Sequence, residues 1–191
     1  MKVVKWLAVI VVVLVLAFVI IGLVLPSSYQ VERSVTIDAP PEVVFRYLND
    51  LEQWEHWEPF SKADDSVVVT LGDVTTGVGA TQTWTSNDGD GTLTFTMSDP
   101  DKGIGYDMQI GEFDPASAEI TYEVVDGQVV VTWAMEGDMS LPVIGGYFGV
   151  MMDGMVGPMF DEGLRLLKEA AESDTPATPT DQPESGSSDA P

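Results

Sequence analysis

The residues of this chain that could do acid–base or metal chemistry are few and badly placed for it. His56 is the only histidine, with Glu55 and Glu58 near it in sequence. A catalytic imidazole needs partners, and a zinc site lacks ligands in a chain with no cysteine and no second histidine; a structural or surface role fits His56 better. The run Asn87-Asp88-Gly89-Asp90-Gly91 has the acidity of a calcium loop but neither its spaced ligands nor its closing glutamate, and reads as a β-turn. Asp64–Asp65 and Asp161–Glu162 are neighbours in sequence and point apart, whereas glycosidase chemistry needs carboxylates facing across a cleft. Glu136 falls on the opposite side of its strand from Trp133 and Met135, hence outward. Gly-x-Ser-x-Gly and phosphate-loop motifs are absent. The sequence therefore nominates no catalytic residue, no metal site and no cofactor.

The elements around these residues fall into three compositional parts. Residues 1–28 hold an apolar run from Trp6 to Leu25 and a short linker; no Asp, Glu, Lys, Arg or His lies between Lys5 and Glu32. About 20 such residues cross a bilayer core of about 30 Å, and in lipid a helix is the only single-span solution. Lys2 and Lys5 precede the run, so the positive-inside tendency puts the N-terminus in the cytoplasm and the rest outside. A cleaved secretory signal is the rival reading; its apolar region would be about 7–15 residues and followed by small residues at the cleavage site, which the longer run and Pro26-Ser27-Ser28 match poorly. Residues 173–191 are a Pro-, Ser- and Thr-rich acidic tail, expected to be disordered because it can bury too little to offset chain entropy. Residues 29–172 remain for one domain.

The whole chain of 191 residues carries 31 acidic against 8 basic side chains, a net charge of −23. Two of those basic residues, Lys2 and Lys5, belong to the anchor, so the domain and tail are more acidic still. Such a surface has no patch to neutralise phosphates, which argues against nucleic acid as a partner. It reads as a solubilising shell suited to a medium that screens self-repulsion.

Within the domain, Tyr29–Asp38 alternates, with Val31, Arg33, Val35 and Ile37 on one side, and reads as a strand. Pro41, fit for a first helical turn, and Glu42 open a short helix to Asn49; Leu51–His56 reads as a second, ending before Pro59. Strands follow at Val67–Leu71, Gly79–Ser86, Thr92–Ser98, Gly103–Gly111, Ala118–Val125 and Gln128–Met139, with Asp126-Gly127 a hairpin turn. A broad apolar stripe from Tyr147 onward predicts a long closing helix that Gly157-Pro158 should interrupt or kink.

Three passages carry a resemblance. VERSVTIDAPPEVVFRYLNDLEQWEHWEPF, with its paired Trp54 and Trp57 before Pro59, is similar to the opening strand and helix pair of the START/SRPBCC superfamily, in particular its bacterial polyketide cyclase/dehydrase-like proteins. VTWAMEGDM resembles that family's last strand and GPMFDEGLRLLKEAAE its closing helix. The resemblance spans about Tyr29–Glu172. It implies an α+β helix-grip fold: a curved antiparallel sheet of about seven strands around a long C-terminal helix, two short helices after strand 1, and here one transmembrane helix in front. It is specific for fold and weak for function.

The resemblance further implies a cavity between sheet and helix. Strand alternation nominates Trp84, Phe95, Met97, Tyr106, Met108, Tyr122, Trp133 and Met135 for its wall, and the helix stripe nominates Phe148, Met152, Met155 and Phe160. The same residues would also fill a closed core. The expectation is a membrane-anchored domain binding a hydrophobic small molecule or lipid, with Tyr106, Tyr122 and Trp84 as polar tips. A cyclase-like enzyme in the same cavity, or an interaction module with a filled cavity, are the alternatives.

Overall fold

The structure is a computed structural model and describes residues 2–87 and 89–175. The acidic tail beyond 175 and Asp88 of the predicted β-turn lie outside those residues.

Helix α1 (Lys2–Val24) is one long apolar helix, exposed along nearly its whole length and consistent with a membrane anchor. Strand β1 (Ser28–Ile37) begins within four residues of its end. Helix α2 (Pro41–Asn49) starts with proline, whose missing N–H costs nothing in the first turn, and buries Val44, Tyr47 and Leu48. A 3-10 helix follows at Leu51–His56, its first turn held by the Asp50 carboxylate accepting from the Glu52 amide at 3.0 Å. A one-turn helix α3 (Phe60–Ala63) adds to the elements expected from sequence. Pro59 ends the preceding segment and also admits a new turn, and the Glu58 carboxylate accepts from the amides of Phe60 and Ser61.

The sheet is built from β1, β2 (Val68–Leu71), β3 (Thr81–Thr85), β4 (Gly91–Asp99), β5 (Gly103–Ile110), β6 (Ala116–Val125) and β7 (Gln128–Asp138). Its order is β1-β7-β6-β5-β4-β3-β2, antiparallel throughout. The β6–β7 hairpin turns on Asp126 and Gly127 with φ of 52° and 83°, the left-handed pair that a two-residue turn requires. Helix α4 (Ile144–Ser173) packs on β1 and β7 and against α2. It begins three residues before the predicted stripe and runs unbroken through Pro158, so of the expected interruption or kink the interruption does not occur. One proline removes a single donor from a ladder that spans the whole helix.

The core between sheet and helices is aromatic. Trp54 and Trp57, both buried, donate their indole N–H groups to the carbonyls of Leu48 at 2.9 Å and Tyr47 at 3.0 Å. Two wide apolar rings are thereby buried with their donors satisfied, and the 3-10 helix is locked to α2.

Candidate functional site

A cavity of about 410 Å³ opens between the sheet and the segment from Trp54 to Val67, within the range of small-molecule sites. Its sheet wall is laid down in rows by strand register. In one row Val69, Trp84 and Ile110 are brought into line through the pairings Val69–Trp84, Trp84–Gly91 and Gly91–Ile110. The missing side chain at Gly91 makes room for the Trp84 indole, which lies directly over it. The next row sets Gln82 opposite Leu93 and Leu93 opposite Met108. Deeper in, Tyr106 stands beside Trp133. The facing wall comes from Trp54, Glu58 and α3, and α4 contributes Met159.

Of the twelve residues expected to line a cavity, Trp84, Tyr106, Met108 and Trp133 stand on this wall. Phe95 lies just behind it, its ring 5.6 Å from Trp54 and 6.5 Å from Tyr106. Phe160 is buried against the back of Trp133, stacked at 4.0 Å between ring centroids. Met135 and Met152 are buried core residues that do not reach the cavity lining. Tyr122 is buried at the other end of its strand, its hydroxyl donating to the Pro100 carbonyl.

Met97 is turned away. A β-bulge between Phe95 and Met97 sets Met97 opposite Gly105 on the outer face, where Glu119 also lies, so alternation counted through Thr96 puts it on the wrong side. Phe148 and Met155 are exposed, on a face of α4 pointing away from the core. His56 is exposed, Glu136 is exposed as expected from its strand phase, and the described residues contain no cluster of potential metal ligands.

Strand parity also carries a signal for lining residues outside the expected set. Gln82 shares its phase with Trp84, Leu93 with Phe95 and Ile110 with Met108. Val67 shares the parity of Val69 in its expected strand; Glu58 and Phe60 sit where no regular pattern speaks, and Met159 requires knowing the rotation of α4.

Six polar residues break the apolar lining, of which Ser61, Asp64 and Ser86 are engaged in local hydrogen bonds with Glu58, Ser66 and the Gly89 carbonyl. Glu58 is nearly buried, but its carboxylate is occupied by the Phe60 and Ser61 amides and the Ser61 hydroxyl at 2.7 Å. The Tyr106 hydroxyl accepts from the Trp133 indole N–H at 3.0 Å, and its own proton meets no acceptor among the described residues. Burial pushes the Tyr106 phenol far above its ordinary range; the Trp133 hydrogen bond pulls it partly back and the Glu58 charge adds to the rise. The phenol therefore stays protonated and is a donor. Gln82, 7 % exposed, makes no side-chain hydrogen bond among the described residues, so both its amide groups are free for a guest.

The pattern is an apolar chamber with one fixed donor and one donor–acceptor pair. Solved structures share this architecture at low identity. A Chromobacterium violaceum protein matches with a TM-score of 0.56 at 15 % identity, over 75 % of this chain and 98 % of its own. Ara h 8.0201 matches with a TM-score of 0.54 at 14 % identity, over 77 % and 99 %. A Thermus thermophilus protein matches with a TM-score of 0.53 at 16 % identity, over 75 % and 97 %. These likenesses speak to fold alone. No curated protein matches the chain. The family described as polyketide cyclase / dehydrase and lipid transport matches residues 28–172, from the first residue of β1 to the last turn of α4, and the chain belongs to it.

Proposed function

We propose that this chain is a membrane-anchored binding domain whose cavity takes a hydrophobic small molecule or lipid bearing a hydrogen-bonding group such as a carbonyl or hydroxyl. The observation that carries the reading is the pairing of an apolar chamber of about 410 Å³ with two unspent polar groups, Tyr106 and Gln82. The Gln82 amide opens into the chamber without a protein partner among the described residues and the Tyr106 hydroxyl keeps an unspent proton, so a guest's polar group can bond to both in apolar surroundings. The apolar walls supply affinity through burial, and the polar pair supplies orientation.

A proton-transfer enzyme in the same chamber is the second reading, and the electrostatics weigh against it. Acid–base catalysis works best with a group that titrates near the working pH, whereas Tyr106 is held far from ionisation and the Glu58 carboxylate is engaged by α3. The two lysines before α1 and the lack of a basic excess after it favour a cytoplasmic N-terminus and a domain on the outer face of the membrane.

Native mass spectrometry of the full-length chain released from nanodiscs tests this. One co-purifying apolar molecule per chain is expected, lost when Met108→Arg introduces a charge into the chamber. A wild-type chain that emerges empty and takes up no added fatty acid or sterol refutes the reading.

A further inference from the structure

Several of the apolar side chains that the domain leaves uncovered stand together at the start of α4. Ile144, Phe148, Met151 and Met155 are all exposed and recur at the four-, three- and four-residue steps that place them in one stripe along the helix. Leu141, also exposed, continues the stripe into the preceding loop. In a chain with 31 acidic side chains, not one charge lies between Asp138 and Asp153. Exposed apolar stripes of this kind mark an interaction surface.

What covers the stripe is indicated by its neighbour. The same stretch of α4 is docked on the end of the anchor helix. The Tyr147 ring stacks on Phe18 with centroids 4.6 Å apart, and its hydroxyl donates to the Phe18 carbonyl at 2.7 Å. Gly146 lies so close to α1 that a Cβ there would come within 2.7 Å of the Gly22 carbonyl and of Leu25. Phe18 is six residues before the end of α1 at Val24, about 9 Å along the helix axis. The start of α4 thus lies beside the last turns of a helix long enough to fill the bilayer core, and its uncharged stripe continues the lipid-facing surface of α1.

We propose that the first half of α4 is a membrane seat: Leu141, Ile144, Phe148, Met151 and Met155 lie in the headgroup–acyl boundary of the leaflet in which α1 ends. The domain is then fixed on the bilayer rather than hung from it. The absence of charge fits a neutral lipid interface and keeps the acidic remainder of the surface away from headgroups. Met159, four residues beyond Met155 and so on the same side of the helix, belongs to the cavity wall. The apolar side of α4 therefore leads from the membrane toward the chamber, although the seat exists whether or not the chamber holds a ligand.

Because the chain has no cysteine, single cysteines can be placed at Phe148, Met151 and Met155, and at Glu123 on the exposed face of β6, and labelled with an environment-sensitive fluorophore. The full-length chain is reconstituted into phosphatidylcholine vesicles. At the three helix positions the emission shifts to the blue and is quenched by nitroxide on the lipid tails, and iodide quenching falls at least about fivefold below that at Glu123, as expected for side chains sunk into the interface. Iodide quenching equal to that at Glu123 overturns the proposal. Protection from both iodide and lipid nitroxide also overturns it, since a second copy or another protein then covers the stripe. A chain carrying both Phe148→Glu and Met151→Glu keeps the near-UV circular dichroism of its aromatic core while the label at Met155 loses lipid quenching; if that quenching is unchanged, the stripe does not seat the domain.

Discussion

Replacing Tyr106 by phenylalanine removes one oxygen and tests both the packing and the electrostatics of the chamber. In the wild type that oxygen accepts the Trp133 indole N–H at 3.0 Å, and Trp133 is buried. Without it a buried donor has no partner, a loss of about 1–3 kcal/mol. The ring itself is kept, so the aromatic cluster with Trp54 and Phe95 survives and little cavity cost is added. The pH dependence is the sharper readout. The folded chain resists ionising Tyr106, whereas the unfolded chain ionises tyrosine near about pH 10. Below that pH both states keep the proton and stability is unaffected. Above it the unfolded state sheds the proton first, so the wild type loses stability as pH rises, by up to about 1.4 kcal/mol per pH unit. Urea unfolding in nanodiscs, followed by near-UV circular dichroism at pH 8 and near pH 11, measures both effects. Tyr106→Phe should be the less stable at pH 8 and should show a shallower decline toward pH 11, because the other tyrosines are common to both chains. Parallel declines would refute the assignment of a buried, proton-retaining phenol at the chamber wall.

Two further substitutions test how glycine shapes the site. Gly91→Val puts a side chain where the Trp84 indole lies; the ring is driven from its place over β4, and ligand occupancy in native mass spectra should fall sharply. Gly163→Ala should destabilise the domain even though alanine is the better helix former by about 1 kcal/mol. Its Cβ would come within 2.8 Å of the Trp133 ring and 3.1 Å of Pro59, and Trp133 cannot yield because Phe160 stacks on it and Trp57 packs edge-on at 5.6 Å. Overpacking of this kind costs about 1–3 kcal/mol; a raised urea midpoint would contradict the packing described.

Much of the frame is legible in the sequence because local chemistry and global fold agree. Pro41 and Glu42 favour a helix start, and Asp126-Gly127 favours a hairpin turn; both stand where expected. Strand parity is sound wherever the register runs unbroken, which is why it leads to Trp84, Tyr106, Met108 and Trp133 at the site. It fails at Met97, where one extra residue reverses every later side chain and nothing in the threonine-rich run Thr92–Ser98 marks the bulge. Helix α3 is invisible to pattern because its stabilising group is the Glu58 side chain, which reads in sequence as one more acidic residue among many.

The failure on α4 has a different origin. Periodicity reports that a face is apolar, not what covers it. Met152, Phe160, Leu164 and Leu167 are buried against the domain, while Ile144, Phe148, Met151 and Met155 are apolar on a side the domain leaves exposed. Read as one broad stripe, the two faces merge, and Phe148 and Met155 pass for cavity residues. A helix meeting only protein on one side and water on the other would place charges where these residues stand, as α4 does after Asp161, with Glu162, Arg165 and Glu169 on its exposed side. The change in character along a single helix, from uncharged beside α1 to charge-laced at its far end, is what a bilayer meeting only its first half would select. The excess apolar width that blurs the reading of the cavity is thus itself the signature of a second apolar environment.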